Sequence, residues 1–187
     1  LVCFIMLCVI LAVHATSLAS TTPQIASGGN HSIALKSDGT VWAWGYNSDG
    51  RLGDGTTMNR SVPVQVSSLI GVIAVAGGVG HSLAVKSDGT VWAWGSNHVG
   101  QLGDGSTTDR STPMQVSSLS DVIAVAGGNS HSLAVKSDGT VWAWGSNSKG
   151  QLGDGTTTDR STPVQVSSLS DVIAVAGGDS HSLAVKS

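Results

Sequence analysis

The stretch HSLAVKSDGTVWAWG at residues 81–95 decides the fold, and it recurs letter for letter at 131–145. It holds two short apolar runs, Ser82-Leu83-Ala84-Val85-Lys86 and Thr90-Val91-Trp92-Ala93-Trp94, joined through Ser87-Asp88-Gly89. Runs of this length between turn residues read as strands. The Asp-Gly pair reads as a tight type I′ hairpin, with positive φ expected at both central positions. Trp92 and Trp94 stand two apart and share one face of their strand, while Val91 and Ala93 share the other. Both faces are apolar, so the sheet must be covered on both sides.

Working outward, Val72-Ile73-Ala74-Val75-Ala76, closed by Gly77-Gly78, supplies a strand before the hairpin. A fourth strand is expected around Pro113-Met114-Gln115-Val116, with the proline at its first residue, where a missing N–H does no harm. Between them runs SNHVGQLGDGSTTDRST, a long loop of Gly, Asp, Ser and Thr. The same frame returns every 50 residues, carrying His31, His81, His131 and His181 and the pairs Trp42/Trp44, Trp92/Trp94 and Trp142/Trp144. The copies are 28–77, 78–127 and 128–177, with a partial fourth at 178–187; the second and third are identical at 44 of 50 positions. A repeating four-stranded sheet that is apolar on both faces argues for an all-β fold, a β-propeller of radially stacked blades. About three blades and the start of a fourth are expected, a partial ring whose open blade faces and edges favour self-association.

Composition agrees. Gly, Pro, Ser and Thr fill 73 of 187 positions and all twelve acidic residues are Asp, which disfavours helical folds. A net charge of −3 offers no basic footprint for a phosphate backbone, so no nucleic-acid partner is expected. Residues 1–13, LVCFIMLCVILAV, followed by Ser17 and Ala19, have the pattern of a secretory signal peptide cleaved after Ala19. The competing expectation is a membrane anchor, and a membrane association follows only if this segment stays uncleaved. Its opening on Leu without a basic n-region suggests a leader that lacks its beginning. Both cysteines, Cys3 and Cys8, fall inside it, so no thiolate chemistry is expected of the mature chain. Residues 20–27 form a linker or first strand before the repeats.

The run AGGNSHSLAVKSDGTVWAWGSNSKGQLGDGT at 126–156 resembles the repeat of the regulator of chromosome condensation family. The G-G-x-x-H-S-x-A element, the D-G-x-V-x-x-W-G hairpin and the G-x-N-x-x-G-Q-L-G loop all match, over about residues 25–187. The resemblance implies a seven-bladed ring, of which this chain would supply about half. It also implies two kinds of activity. One is binding of a protein or wall polymer outside the cell, as for a secreted propeller of the family that inhibits β-lactamases. The other is guanine-nucleotide exchange on a small GTPase, the activity of the nuclear founder.

The repeated residues have structural readings. His31, His81 and His131 are expected to bond backbone at a blade edge rather than hold a metal, because equivalent positions are a whole blade apart. The tryptophans are read as blade core. Asp54, Asp104 and Asp154, with Asp109 and Asp159 further on, are read as turn residues rather than calcium ligands, and Arg60, Arg110 and Arg160 are expected to pair with these loop aspartates rather than with a ligand phosphate. Near-identical repeats offer the same groups several times over rather than the asymmetric set an active site needs, so neither catalysis nor a cofactor is expected. The copies differ where partners could be read. Val79-Gly80 stands against Asn129-Ser130, and His98-Val99 against Ser148-Lys149; the first copy has Gly29-Asn30 and Ser48-Asp49 there. Loops on a rigid scaffold commonly carry binding. Asn30, Asp49, Val79, His98, Val99, Asn129 and Lys149 are therefore the candidate partner-binding residues.

Overall fold

The computed structural model describes residues 21–187; the expected leader at 1–19 and both cysteines lie outside them. Fourteen strands build four antiparallel sheets. The first blade is β1 (Gln24–Ser27), β2 (His31–Leu35), β3 (Val41–Gly45) and β4 (Arg60–Gln65), hydrogen-bonded in that order. The second is β5 (Val72–Gly77), β6 (His81–Lys86), β7 (Val91–Gly95) and β8 (Arg110–Gln115), and the third is β9 (Val122–Gly127), β10 (His131–Lys136), β11 (Val141–Gly145) and β12 (Arg160–Gln165). A two-stranded fourth sheet, β13 (Val172–Gly177) with β14 (Ser182–Lys186), follows. The fold is an all-β, open propeller of stacked blades.

The two-sided apolar pattern is what stacks them. One face of the first blade, with Ile33, Leu35, Val41 and Ala43, packs against Ala84 and Trp94 of the second. The second blade's Leu83, Val85, Val91 and Ala93 meet Ala134 and Trp144 of the third in the same way. Trp94 and Trp144 are wholly buried between blades, whereas Trp44, on the outer face of the first blade, is only half-buried. Burying a side chain of this size contributes roughly 2–3 kcal/mol from its apolar area. Between blades, β5 meets β1 and β2, β9 meets β5 and β6, and β13 meets β9 and β10. There a Cβ on Gly77 would stand 2.6 Å from Ser27 O, and one on Gly127 2.5 Å from Gly78 N, so only glycine lets the backbones approach.

Two turn assignments differ from the sequence expectation. At the Asp-Gly hairpins only the glycine has positive φ, 77° at Gly39, Gly89 and Gly139. Lys36 N bonds Thr40 O and Gly39 N bonds Lys36 O, a three-residue loop in place of a two-residue type I′ turn. The aspartate is free to cap it: Asp38 Oδ1 accepts from Thr40 N and Oγ1. The fourth strand begins three residues earlier than expected, at Arg110, and Pro113 lies within it. The proline is tolerated because β8 is the sheet's edge and the β7–β8 register slips between Ala93 and Gly95.

Candidate protein-binding face

His31 pairs with Gly45, so the turn before β2 and the loop after β3 leave the blade at the same end, and the other blades repeat this. Asn30, Asp49, Val79, His98, Val99, Asn129 and Lys149 all lie in these turns and loops. Asn30, Val79, His98 and Lys149 are exposed, and Asp49, Val99 and Asn129 half-buried. Five of the six differences between the second and third repeats gather at this end, while the Asp-Gly hairpins at the opposite end are unchanged.

The long loop holds its shape through a buried amide. Asn97 is fully buried; its Nδ2 donates to the carbonyls of Ser106 and Thr108, each at 3.1 Å, and its Oδ1 accepts from Leu102 N at 2.9 Å. Asn47 and Asn147 repeat the arrangement. The expected Arg–Asp pairs are present: Arg60–Asp54 at 2.7 Å, Arg110–Asp104 at 2.9 Å and Arg160–Asp154 at 2.7 Å. Burial opposes ionisation of Asp154, but hydrogen bonds from Thr156 and Arg160 outweigh it and bring its pKa down to about 2.

Each loop is then locked to the next blade. Ser82 Oγ donates to Arg51 O at 2.8 Å, Trp94 Nε1 donates to the same carbonyl at 2.9 Å, and His31 Nε2 lies 2.9 Å from Ser82 Oγ. His81, Ser132, Trp144 and Gln101 O form the same node one blade on. The carbonyl only accepts, so the serine proton goes to it and the histidine must donate through Nε2–H. Its partner is a side chain of the next blade rather than the backbone expected from sequence, and burial, not this hydrogen bond, keeps the ring neutral. Burial is the main cause that lowers the pKa of His31 to about 4 and of His81 to about 3, and it also lowers that of His131. Sequence neighbours His81 and Ser82 do not pair; the pairing runs from His31 to Ser82, 51 residues on. A buried serine whose proton is committed to a carbonyl is not arranged as a nucleophile. Among the described residues no three His, Cys, Asp or Glu side chains group as metal ligands.

On this shared framework the blades carry different side chains. In the first, the Arg51 guanidinium pairs with Asp49, lies 4.9 Å from the Tyr46 ring centroid and donates to Val79 O at 3.0 Å. In the second, Ser96 Oγ and His98 Nδ1 are 2.9 Å apart. In the third, Lys149 is exposed, and Gln151 Oε1 accepts from its N–H at 2.9 Å as Gln101 Oε1 does from Val99 N–H in the second. Asn129 Nδ2 reaches Asp179 Oδ1 of the fourth blade at 2.5 Å. The sequence reading missed Asn47, Asn97 and Asn147 and the carbonyls of Arg51, Gln101 and Gln151. The signal for the first set was present, an amide retained in each copy of a loop otherwise made of Gly, Asp, Ser and Thr; the carbonyls carried none.

These features define an open propeller of stacked four-stranded blades with a variable loop end. The family described as RCC1-like domain matches residues 10–185, and the chain belongs to it. Its structure is similar to that of Prp20p from Saccharomyces cerevisiae, with a TM-score of 0.75 and 25% identity over 86% of this chain and 42% of that one. In sequence it is 44% identical over 46 residues to the RCC1 domain-containing protein RUG3 of Arabidopsis thaliana, and 44% over 43 residues to the ultraviolet-B receptor UVR8 of the same plant. Those stretches are 25% and 23% of this chain, and each is 10% of the relative's length.

Proposed function

We propose that this chain is a non-enzymatic binding scaffold that engages a protein partner through the end bearing Asn30, Asp49, Val79, His98, Val99, Asn129 and Lys149. The observation that carries the reading is the division of labour within the repeats. The residues that build and lock the loops recur, and five of the six exchanges between the second and third copies fall at that one end. Prp20p, the similar structure, is described with binding to Gsp1p and histones, which supports protein binding as the use of such a surface. We place the protein outside the cell or at its surface, on the apolar segment at 1–13 and the small residues at Ser17 and Ala19. A wall polymer is the other ligand class such a location offers.

The test is to fractionate expressing cells and to capture partners with wild-type chain and with a His98→Ala, Val99→Ala, Lys149→Ala variant. Export, with a partner held by the wild type and lost by the variant, supports the reading. Undiminished capture by the variant removes the loops from it. A second reading, nucleotide exchange on a small GTPase, draws on the same likeness to Prp20p; retention in the cytosol together with accelerated nucleotide release would favour it.

A further inference from the structure

Asn59-Arg60-Ser61 closes the long loop of the first blade, and it is an Asn-x-Ser acceptor sequence for N-linked glycan, with no proline at its middle residue or at Val62 after it. The equivalent tripeptides of the other blades, Asp109-Arg110-Ser111 and Asp159-Arg160-Ser161, are not acceptors. The loop keeps its shape through the exchange because it uses one oxygen of this side chain. Asp109 Oδ1 accepts from Asn97 N and Asp159 Oδ1 from Asn147 N, each at 2.6 Å, and Asn59 Oδ1 accepts from Asn47 N at 2.8 Å. An N–H donor requires the oxygen, so the orientation of the Asn59 amide is fixed. Its Nδ2 has no hydrogen-bond partner among the described residues. A glycan attaches at Nδ2 and keeps the carbonyl oxygen, so the bond from Asn47 N survives modification.

The exposure of Asn59 does not depend on a missing neighbour: Asp109 and Asp159, at the same position in blades that follow another blade, are exposed too. The chain's other acceptor sequence, Asn30-His31-Ser32, runs straight into β2, where His31 is buried. The place of Asn30 is taken in the second blade by Gly80, where a Cβ would stand 3.2 Å from Ser96 Cβ and 3.6 Å from Arg51 Nη2 of the preceding blade. A sugar there would crowd a blade junction, whereas Asn59 faces solvent. We propose that Asn59 carries an N-linked glycan, which marks the loop end of the first blade alone. This rests on the export proposed above, into a eukaryotic secretory lumen where such glycans are added.

For the test, the 187-residue chain is expressed in a eukaryotic secretory host, once with its own N-terminal segment and once behind an added secretory leader, and the exported protein is treated with a peptide N-glycosidase. Peptide mapping should find aspartate at position 59 in most treated molecules. The mobility shift caused by the enzyme should vanish in an Asn59→Asp variant, whose side chain the other two blades already use, and persist in Asn30→Gln. Exported chain with Asn59 unmodified, or a shift that persists in Asn59→Asp and vanishes in Asn30→Gln, overturns the site. The two expression arms separate this from the localisation reading. Export only behind the added leader, with glycan at Asn59, upholds the site and removes the localisation. Export from the chain's own segment without glycan upholds the localisation and overturns the site.

Discussion

Acidification should unlock the blades in a definite window. His31 and His81 are neutral in the folded chain, with pKa values of about 4 and about 3 against 6.5 unfolded. Their folded values are depressed, so the stability they contribute is present above pH 6.5 and is lost as pH falls toward the folded values. At pH 5 nearly every unfolded ring is protonated and nearly every folded ring is neutral, a difference of about 2 kcal/mol per ring and about 4 kcal/mol for the two. His131 adds in the same direction. Urea unfolding followed by tryptophan fluorescence at pH 7, 6 and 5 reads this directly. With a slope of about 2 kcal/mol per molar urea, the midpoint should fall by about 2 M between pH 7 and pH 5. The control is a His31→Gln, His81→Gln variant, whose amides can donate to Ser82 and Ser132 but do not titrate. It should start less stable and lose much less across the same interval. An equal loss in variant and wild type would refute the neutral, buried assignment.

Other expectations follow from the same contacts. Trp144→Ala should cost about 3–5 kcal/mol, because it opens a cavity between blades and removes a donor from Gln101 O, while Trp42→Ala, at a half-buried site, should cost less; thermal unfolding ranks them. Asn97→Asp replaces the Nδ2 donor with a carboxylate beside Asp104 and should destabilise by about 2 kcal/mol or more, with amide exchange in loop 96–112 rising first. Gly127→Ala drives a Cβ into Gly78 and should abolish folding or expand the chain on a sizing column. Gly155→Ala meets nothing within 4 Å and should cost only about 1–2 kcal/mol for its φ of 82°. His98→Ala and Lys149→Ala touch none of the inter-blade nodes and should shift stability by less than about 0.5 kcal/mol.

The blade was legible because short apolar runs closed by glycine and Asp-Gly mark strands, and a run with no polar alternation, Val91, Trp92, Ala93 and Trp94, implies a sheet covered on both faces. The Arg–Asp pairs were legible too, since loop aspartates have few other cationic neighbours. The inter-blade node was not. It joins His31 to Ser82 across 51 residues and centres on a carbonyl, which every residue possesses and no letter reveals. The hairpin misreading has a similar origin, since Asp-Gly fits both a two-residue turn and a three-residue loop whose only positive φ is at glycine. At the loop end, exchanges such as Val99 against Lys149 were visible as differences. Their common placement became clear only with the register of His81 opposite Gly95.

The most direct test of the binding-face account is amide hydrogen exchange on the chain, free and bound to a partner captured from the exported or surface fraction. The account predicts new protection at 28–30, 46–59, 78–80, 96–109, 128–130 and 146–159, with the Asp-Gly hairpins at 37–40, 87–90 and 137–140 unchanged. Protection centred on those hairpins, with the loop end exchanging as in the free chain, would contradict it.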